Sequence, residues 1–482
     1  MTRTRRVPAM SLRLGGSAVA RDVLARVSGV VVRQRANLPA QLALTLRDDP
    51  PAGADLDAPV RVDVEGEALP LFTGRLRGME HHLGPDGSRR TVLLAYDALD
   101  GLRRITPVVA HERVTIGRLA SQWAGEVGVA VVVHSDGPES ARTIQHGQPA
   151  LEVLQDLSAR SGVLFHARED ALHLFGPAGI GEPVTLTREV QLREARVEVT
   201  APLGGMAVSA AAWDPLSSST FTGSAGGGGP VAPLTGVVAS SQAEVDAVAA
   251  AEATRRARGH RALWAVVDGD ARLSPGTSVV LPDLPGGDEP FLLTEVTHRL
   301  DDRHGFQSEV ATGPPPAPEV EPVTIQLATV ERVDDPDAAG RVAVSLDAFC
   351  GVGTAWLQVV APGAGPGRGL AALPAVGDRV LVLAVGGDVG RGVVLGGLWG
   401  PSGPPDAGVE GGDARRVTLS TPAGHRITLD DHGHLVRVHD AAGSFLELGA
   451  DRVRLHAAVD LAIEAPGRSV TLTGRTVDFV EA

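Results

Sequence analysis

Residues 415–482 read RRVTLSTPAGHRITLDDHGHLVRVHDAAGSFLELGADRVRLHAAVDLAIEAPGRSVTLTGRTVDFVEA. Apolar residues recur there in pairs two positions apart, roughly every eight to ten residues, which is typical of one face of successive short β-strands. Turn-forming residues, such as those at 430–433 and 440–443, separate the pairs. The pattern predicts eight strands in this C-terminal segment. Their apolar pairs are Val417/Leu419, Ile427/Leu429, Val436/Val438, Leu446/Leu448, Val453/Leu455, Leu461/Ile463, Val470/Leu472 and Val477/Phe479.

The C-terminal segment has too little apolar surface to fold as one copy. Each strand offers an apolar face of only two or three residues, and no helix is available to cover it. Burial of such a face does not offset the entropy lost on ordering the chain. We therefore expect several identical chains to wrap around one axis. The first seven pairs would form the core of the resulting rod, and Val477, Phe479 and Val480 would form a platform at its end.

The composition bounds the class of protein. With 43% hydrophobic and 21% charged residues, the 482-residue chain has an ordinary globular composition. The net charge of −14 argues against non-specific binding to nucleic acid or to an anionic membrane surface. The single cysteine, Cys350, allows no internal disulfide. We find neither a signal-type apolar run nor 18 consecutive apolar residues, so we expect no leader and no transmembrane helix.

Changes in periodicity divide the rest of the chain. Two stripes of helical spacing, in residues 115–127 and Ala150–Ser161, interrupt β-type patterning. A Pro-rich stretch, TGPPPAPEVEP, then marks a boundary. We predict a first β-barrel at 1–105, an inserted α/β subdomain at 106–180, a second β-barrel at 181–311, a linker at 312–322, an OB-type barrel at 323–400, a joint at 401–414 and the rod at 415–482.

Several motifs resemble one known family. Residues 335–344 follow the pattern D-P-D-x-x-G-R-V-x-V, and W-L-Q-V-V-x-P follows at 356–362. P-A-V-G-D-R-V-L-V at 374–382 and G-D-x-x-R-G-V-V-L-G-x-L-W at 387–399 complete the set. They resemble the OB domain of VgrG-like spike proteins, a family found in phage baseplates, type VI secretion systems and extracellular injection particles. T-P-A-G-H-R-I-T-L-D-D at 421–431 is similar to the family's entry into its β-helical needle.

The resemblance implies a fold and a function. The fold would be mainly β, with duplicated tube-type barrels, an α/β insertion, an OB barrel and a trimeric β-helix needle. A homotrimer with two barrels per chain would match the six-fold ring of an inner tube protein, sit among baseplate proteins and pierce a target envelope. The end of the needle would receive a separate PAAR-like tip protein, and an effector cargo is a further possible partner. Such a particle is assembled in the bacterial cytoplasm.

We expect no enzymatic activity, cofactor, metal or nucleic-acid partner. Family members with a cell-wall hydrolase carry it between the OB domain and the needle, but residues 401–414 leave no room for one, and Ala482 directly follows the last predicted strand. His432 and His434 lie two apart and share a strand face, which permits a metal pair, but a solvent-exposed turn explains them better. An envelope- or carbohydrate-binding tail adhesin is the alternative function, and a peptidoglycan hydrolase is a weaker one.

Overall fold

The computed structural model describes residues 8–201, 207–214, 219–227, 230–237, 239–313, 324–347, 352–385, 388–401 and 403–478. The chain forms two units, Met1–Leu398 and Trp399–Ala482. The helices are α1 (Arg21–Leu24), α2 (Ile116–Glu126), α3 (Ala150–Ser161) and α4 (Gln242–Gly259), with a 3₁₀ helix at Ala98–Arg104. The prediction of a mainly β fold is confirmed. Most of the predicted linker, residues 314–322, lies outside the described residues.

The strands of the first unit that precede the linker are β1 (Met10–Leu14), β2 (Ser17–Ala18), β3 (Val27–Arg35), β4 (Gln41–Arg47), β5 (Pro59–Val64), β6 (Phe72–Leu83), β7 (Arg89–Tyr96), β8 (Val108–Val114), β9 (Ala130–Val133), β10 (Ser140–His146), β11 (Leu164–Arg168), β12 (Ala171–Phe175), β13 (Val184–Thr185), β14 (Leu192–Val199), β15 (Ala207–Asp214), β16 (Ser219–Ala225), β17 (Val231–Val237), β18 (Arg261–Asp268), β19 (Ser278–Val280), β20 (Phe291–Leu292), β21 (Glu295–Asp301) and β22 (Gly305–Ala311).

One sheet of eleven strands joins the two β-rich segments of this unit. Its order is β14-β18-β22-β21-β3-β4-β7-β6-β5-β1-β2. The pairing of β3 with β21 joins the halves, with Val30 opposite Leu300. Leu300 and Phe306, from the second half, belong to the apolar core of the first. The two halves therefore share a core, and the separate domain boundaries stay a prediction.

The inserted α/β subdomain is tied to this sheet by Asn37. Asn37 is 2% exposed and adopts a left-handed conformation with φ 66°. Its side-chain Nδ2 donates to Ser158 Oγ of α3 at 2.8 Å, and its side-chain Oδ1 accepts from the backbone N–H of Phe165 at 3.0 Å. The predicted helices are confirmed as α2 and α3. Thr115 caps the start of α2, and Gly162, at φ 72°, follows the end of α3.

A small OB-type barrel follows the linker. Its strands are β23 (Thr324–Arg332), β24 (Arg341–Leu346), β25 (Val352–Val359), β26 (Arg379–Val385) and β27 (Asp388–Leu398), closed in the order β23-β24-β25-β27-β26. The D-P-D motif builds the turn between β23 and β24. Asp335 pairs with Arg341 at 2.6 Å and accepts from the Ala339 N–H at 2.9 Å, and these donors, the guanidinium first, hold the pKa of Asp335 well below its ordinary value.

A two-stranded ribbon from the insertion packs on the barrel. The ribbon pairs β8 with β10, with Thr143 opposite His111. Ile144, 6% exposed, belongs to the apolar core of the barrel. Arg142 donates from its guanidinium to the backbone carbonyl of Gly353 and pairs with Glu112 at 3.2 Å. The barrel is therefore packed against the insertion as well as joined to the unit by its linker.

The second unit is an antiparallel meander. A short hairpin, β28 (Val409–Glu410) and β29 (Asp413–Ala414), precedes five strands in sequence order: β30 (Arg416–Ser420), β31 (Arg426–Asp430), β32 (Leu435–His439), β33 (Phe445–Leu448) and β34 (Val453–His456). Five of the eight predicted strands thus form. Residues 457–478 contain no strand. A strand needs a neighbour for its backbone hydrogen bonds, and residues 457–478 pair with no strand in the described part of the chain.

Candidate functional site

Asp406 fixes where the C-terminal sheet begins. Its carboxylate accepts from the Gly408 N–H at 2.9 Å and from Thr418 Oγ at 2.9 Å, and it pairs with Arg416 at 3.2 Å. These donors, the Arg416 guanidinium first, hold the pKa of Asp406 well below its ordinary value. Since Arg416 and Thr418 both belong to β30, the joint is bonded directly to the first strand of the sheet.

Aspartates at the strand ends build the turns of the sheet. Asp430 Oδ1 accepts from the N–H groups of His432 (3.0 Å) and Gly433 (2.9 Å). Asp440 Oδ1 accepts in the same way from Ala442 (2.9 Å) and Ser444 (2.8 Å). Each aspartate side chain thus satisfies backbone donors that a tight turn leaves unpaired. The turn residues read from the sequence therefore do have the expected local structure.

One face of the sheet carries two cross-strand rows of apolar side chains. Residues directly opposite each other on paired strands point to the same face, and the register aligns the predicted core residues accordingly. The first row contains Val417, Leu429, Val436, Leu448 and Val453. The second contains Leu419, Ile427, Val438, Leu446 and Leu455. The sequence pattern thus identified which residues share a face.

This apolar face is open in the single chain. Apart from the half-buried Val436, its members are exposed, from 39% at Leu446 to 68% at Val417. The remaining predicted core residues lie beyond β34 and are also exposed: Leu461 56%, Ile463 64%, Val470 52% and Leu472 66%. Covering a half-exposed Val, Leu or Ile gains about 1 kcal/mol. Ten such residues in two rows therefore form a surface that favours association.

The opposite face of the sheet is polar and internally bonded. The Arg437 guanidinium stacks over the Phe445 ring at 4.3 Å from its centroid, and Arg454 approaches the same ring at 5.2 Å. The His456 ring stacks on Phe445 at 5.0 Å. Arg437 also approaches Glu447 across the strands at 3.7 Å. These cross-strand contacts hold the strands together on the polar face of the sheet.

The remaining candidate residues do not come together as a site. His432 lies 3.5 Å from Glu410, and His434 occupies the turn with φ 45°. No group of three or more His, Cys, Asp or Glu side chains suited to a metal occurs among the described residues. Val477, of the predicted end platform, is 51% exposed, and Phe479 and Val480 lie outside the described residues.

Sequence reasoning missed two features of the C-terminal sheet. One is Asp406, which precedes the predicted boundary at residue 415 and has no neighbouring apolar pattern to mark it. The other is the stack around Phe445, the aromatic residue of β33. Its signal was present, because Phe445 is followed by the Leu446/Leu448 pair and so falls on the opposite, polar face.

Comparison with known proteins agrees with the fold. The family model described as the type VI secretion system/phage-baseplate injector OB domain matches residues 326–399. An Escherichia coli component of the type VI secretion system, described as similar to the T4 bacteriophage tail proteins gp27 and gp5, is 14% identical, with a TM-score of 0.53 over 77% of this chain and 96% of its own. A search of curated proteins gave no match.

Two tail proteins give lower scores. The 43 kDa tail protein of prophage MuSo2 from Shewanella oneidensis is 15% identical, with a TM-score of 0.49 over 64% of this chain and 96% of its own. A tail protein from Neisseria meningitidis is 17% identical, with a TM-score of 0.46 over 63% of this chain and 95% of its own.

Across the described part of the chain, no helix is long and apolar enough to span a membrane. The chain thus contains a segment at 326–399 that matches the type VI secretion system/phage-baseplate injector OB domain, and its fold is similar to that of a type VI secretion system component.

Proposed function

We propose that this chain is a non-enzymatic, homotrimeric spike and hub that caps the inner tube of a contractile injection apparatus and pierces the target envelope. The observation that carries the proposal is the open apolar face of the C-terminal sheet. Ten aliphatic side chains in two straight rows need a cover, and the same face of an identical chain supplies it. The family resemblance is what sets the proposed number of copies at three.

The rest of the proposed role follows from symmetry. Two tube-type β-units per chain give six in a trimer, which suits a six-fold ring of inner tube protein, while the C-terminal segments share the three-fold axis. The exposed side chain of Val477 supports a platform there for a PAAR-like tip protein. Assembly with baseplate proteins would occur in the bacterial cytoplasm, and an effector would be carried as cargo.

Sedimentation or native mass measurement of the full chain tests the trimer. We expect a species of three times the 49.7 kDa of one chain. Leu429→Asp combined with Leu446→Asp places carboxylates in both apolar rows and should weaken the trimer. Thr428→Asp, on the polar face of the same strand as Leu429, is the matched control and should leave the mass unchanged. A wild-type protein that stays monomeric would refute the proposal.

A further inference from the structure

Two histidines meet at the edge of the small sheet of the insertion. This sheet has the order β11-β12-β9, so β9 lies at its edge, beside β12. His173 lies within β12, opposite Val132 of β9, and His134 directly follows the end of β9. His134 Nε2 is 3.0 Å from His173 Nδ1, and the two rings are nearly parallel, at 14°. The end of the edge strand is therefore joined to its neighbour through a pair of imidazole nitrogens.

The separation of these two nitrogens suits a shared metal ion. A zinc ion holds each imidazole nitrogen at about 2.0–2.1 Å, so two ligands on adjacent coordination positions lie roughly 2.9–3.3 Å apart. The 3.0 Å between His134 and His173 falls within that range. Each ring then needs only a rotation about its own side-chain bonds to turn a lone pair towards a common point.

The surroundings of the pair favour a bound ion. Arg168 and Glu169 both act on the His173 ring, and they pair with each other at 3.2 Å, which offsets the positive charge of the guanidinium. The His173 ring also lies within hydrogen-bonding reach of the Arg168 backbone. An outer contact of this kind fixes the orientation of a metal-binding histidine. Because His134 is exposed and His173 only half-buried, water can reach the remaining coordination positions.

A third imidazole on the same face lacks a partner. His166 of β11 lies opposite His173, and directly opposite residues share a face of the sheet. His166 is 1% exposed, and neither of its ring nitrogens has a hydrogen-bond partner in the described part of the chain. A buried polar group without a partner costs free energy. Water carried by an ion at His173 would offer this ring a donor on its own face.

We propose that His134 and His173 bind a Zn²⁺ ion, with water in the remaining coordination positions. Imidazole is a preferred ligand of Zn²⁺, which imposes little geometric preference of its own. The ion replaces the hydrogen bond between the two nitrogens, and the hydrogen of that bond moves to the other nitrogen of its ring. Both rings stay neutral, and no proton is lost on balance. The ion joins the end of β9 to β12 and so stabilises the insertion.

Isothermal titration calorimetry of the untagged, metal-free full chain with Zn²⁺ alone tests this site. We expect the wild type to bind one more Zn²⁺ per chain than His134→Asn, with a dissociation constant on the order of 10 µM, because only two ligands come from the protein. Saturating Zn²⁺ should raise the melting temperature of the wild type by about 3 °C more than that of the variant. His173→Asn should lose the same ion, which protects the result against misfolding of one variant.

The control is His456→Asn, at an exposed histidine of the C-terminal sheet, and it should bind as many Zn²⁺ ions as the wild type. Circular dichroism checks that the variants keep their fold. If the two nitrogens only share a hydrogen bond, the wild type and both insertion variants will bind the same number of ions with the same affinity, and the inference fails. A wild type that binds no Zn²⁺ below about a millimolar also overturns it. Either result leaves the proposed function standing, since the trimer does not depend on this ion.

Discussion

The stability of the first unit should depend on pH, because some of its histidines are buried. His166 is 1% exposed, and neither ring nitrogen has a hydrogen-bond partner. Burial, reinforced by His173, Arg168 and His298, lowers the pKa of His166 from 6.5 to about 3. The folded protein therefore holds the ring neutral, while the unfolded chain takes up a proton below about pH 6.5. The part of the free energy of unfolding that depends on His166 is fully present above about pH 6.5 and is lost progressively as the pH falls towards 3.

The magnitude follows from linkage. Each pH unit below 6.5 costs about 1.4 kcal/mol for a group that stays neutral in the folded state. At pH 5 the contribution from His166 is therefore a loss of about 2 kcal/mol. His298 is also buried, with its pKa lowered to about 4, and adds a similar loss. Asp97 acts in the opposite direction, because burial raises its pKa to about 7 and it gains a proton on acidification.

A substitution isolates the His166 term, since the contributions of His298 and Asp97 are common to both proteins. In His166→Leu, the loss of stability between pH 7.5 and pH 5 should be about 2 kcal/mol smaller than in the wild type. Urea unfolding at the two pH values, followed by circular dichroism, measures this difference. If His166→Leu and the wild type lose the same stability on acidification, the reasoning is refuted.

Three further outcomes are expected. Asn37→Ala, which loses two buried hydrogen bonds and forces alanine into a left-handed conformation, should lower the free energy of unfolding by about 2–4 kcal/mol in urea; Asn37→Gly should recover about 1 kcal/mol of this because glycine tolerates the backbone. Asp335→Asn should lower the melting temperature of the OB barrel in calorimetry at pH 7. The difference from the wild type should shrink as the pH falls below about 4, because the unfolded chain then binds a proton at Asp335 that the folded protein, with its lowered pKa, does not. Purified peptidoglycan incubated with the protein should release no soluble fragments, and sustained release would contradict a non-enzymatic role.

Local chemistry made the OB barrel and the C-terminal rows predictable. The D-P-D turn is recognisable because Asp335 and Arg341 bond within one hairpin, and the rows follow from a two-residue period that a strand preserves. The pairing of β3 with β21 was not predictable. It joins segments separated by most of the sequence that precedes the linker, and no local pattern specifies which of two apolar strands will be neighbours. Asn37 was missed for the same reason, since its partners Ser158 and Phe165 lie far along the chain.

The strands predicted between residues 457 and 478 were wrong for a different reason. Residues 457–478 keep the two-residue period of the strands before them, yet they remain without strand structure in the single chain. Sequence period reports which face a residue would occupy, whereas strand formation also needs a neighbouring backbone. The five formed strands bond to one another as a meander. Under the proposed trimer, the backbone partners of residues 457–478 would lie in other copies.

The two units of the chain differ in what should stabilise them. The eleven-stranded sheet buries its core within a single copy, so its unfolding should be independent of protein concentration but sensitive to pH through His166 and His298. The C-terminal sheet exposes its apolar rows. Under the proposed trimer, its folding and its association would form one equilibrium, and its apparent stability should rise with protein concentration. Varying concentration at fixed pH, and then pH at fixed concentration, should therefore move different transitions. A C-terminal transition that did not move with protein concentration would mean that the apolar rows are already satisfied within one copy.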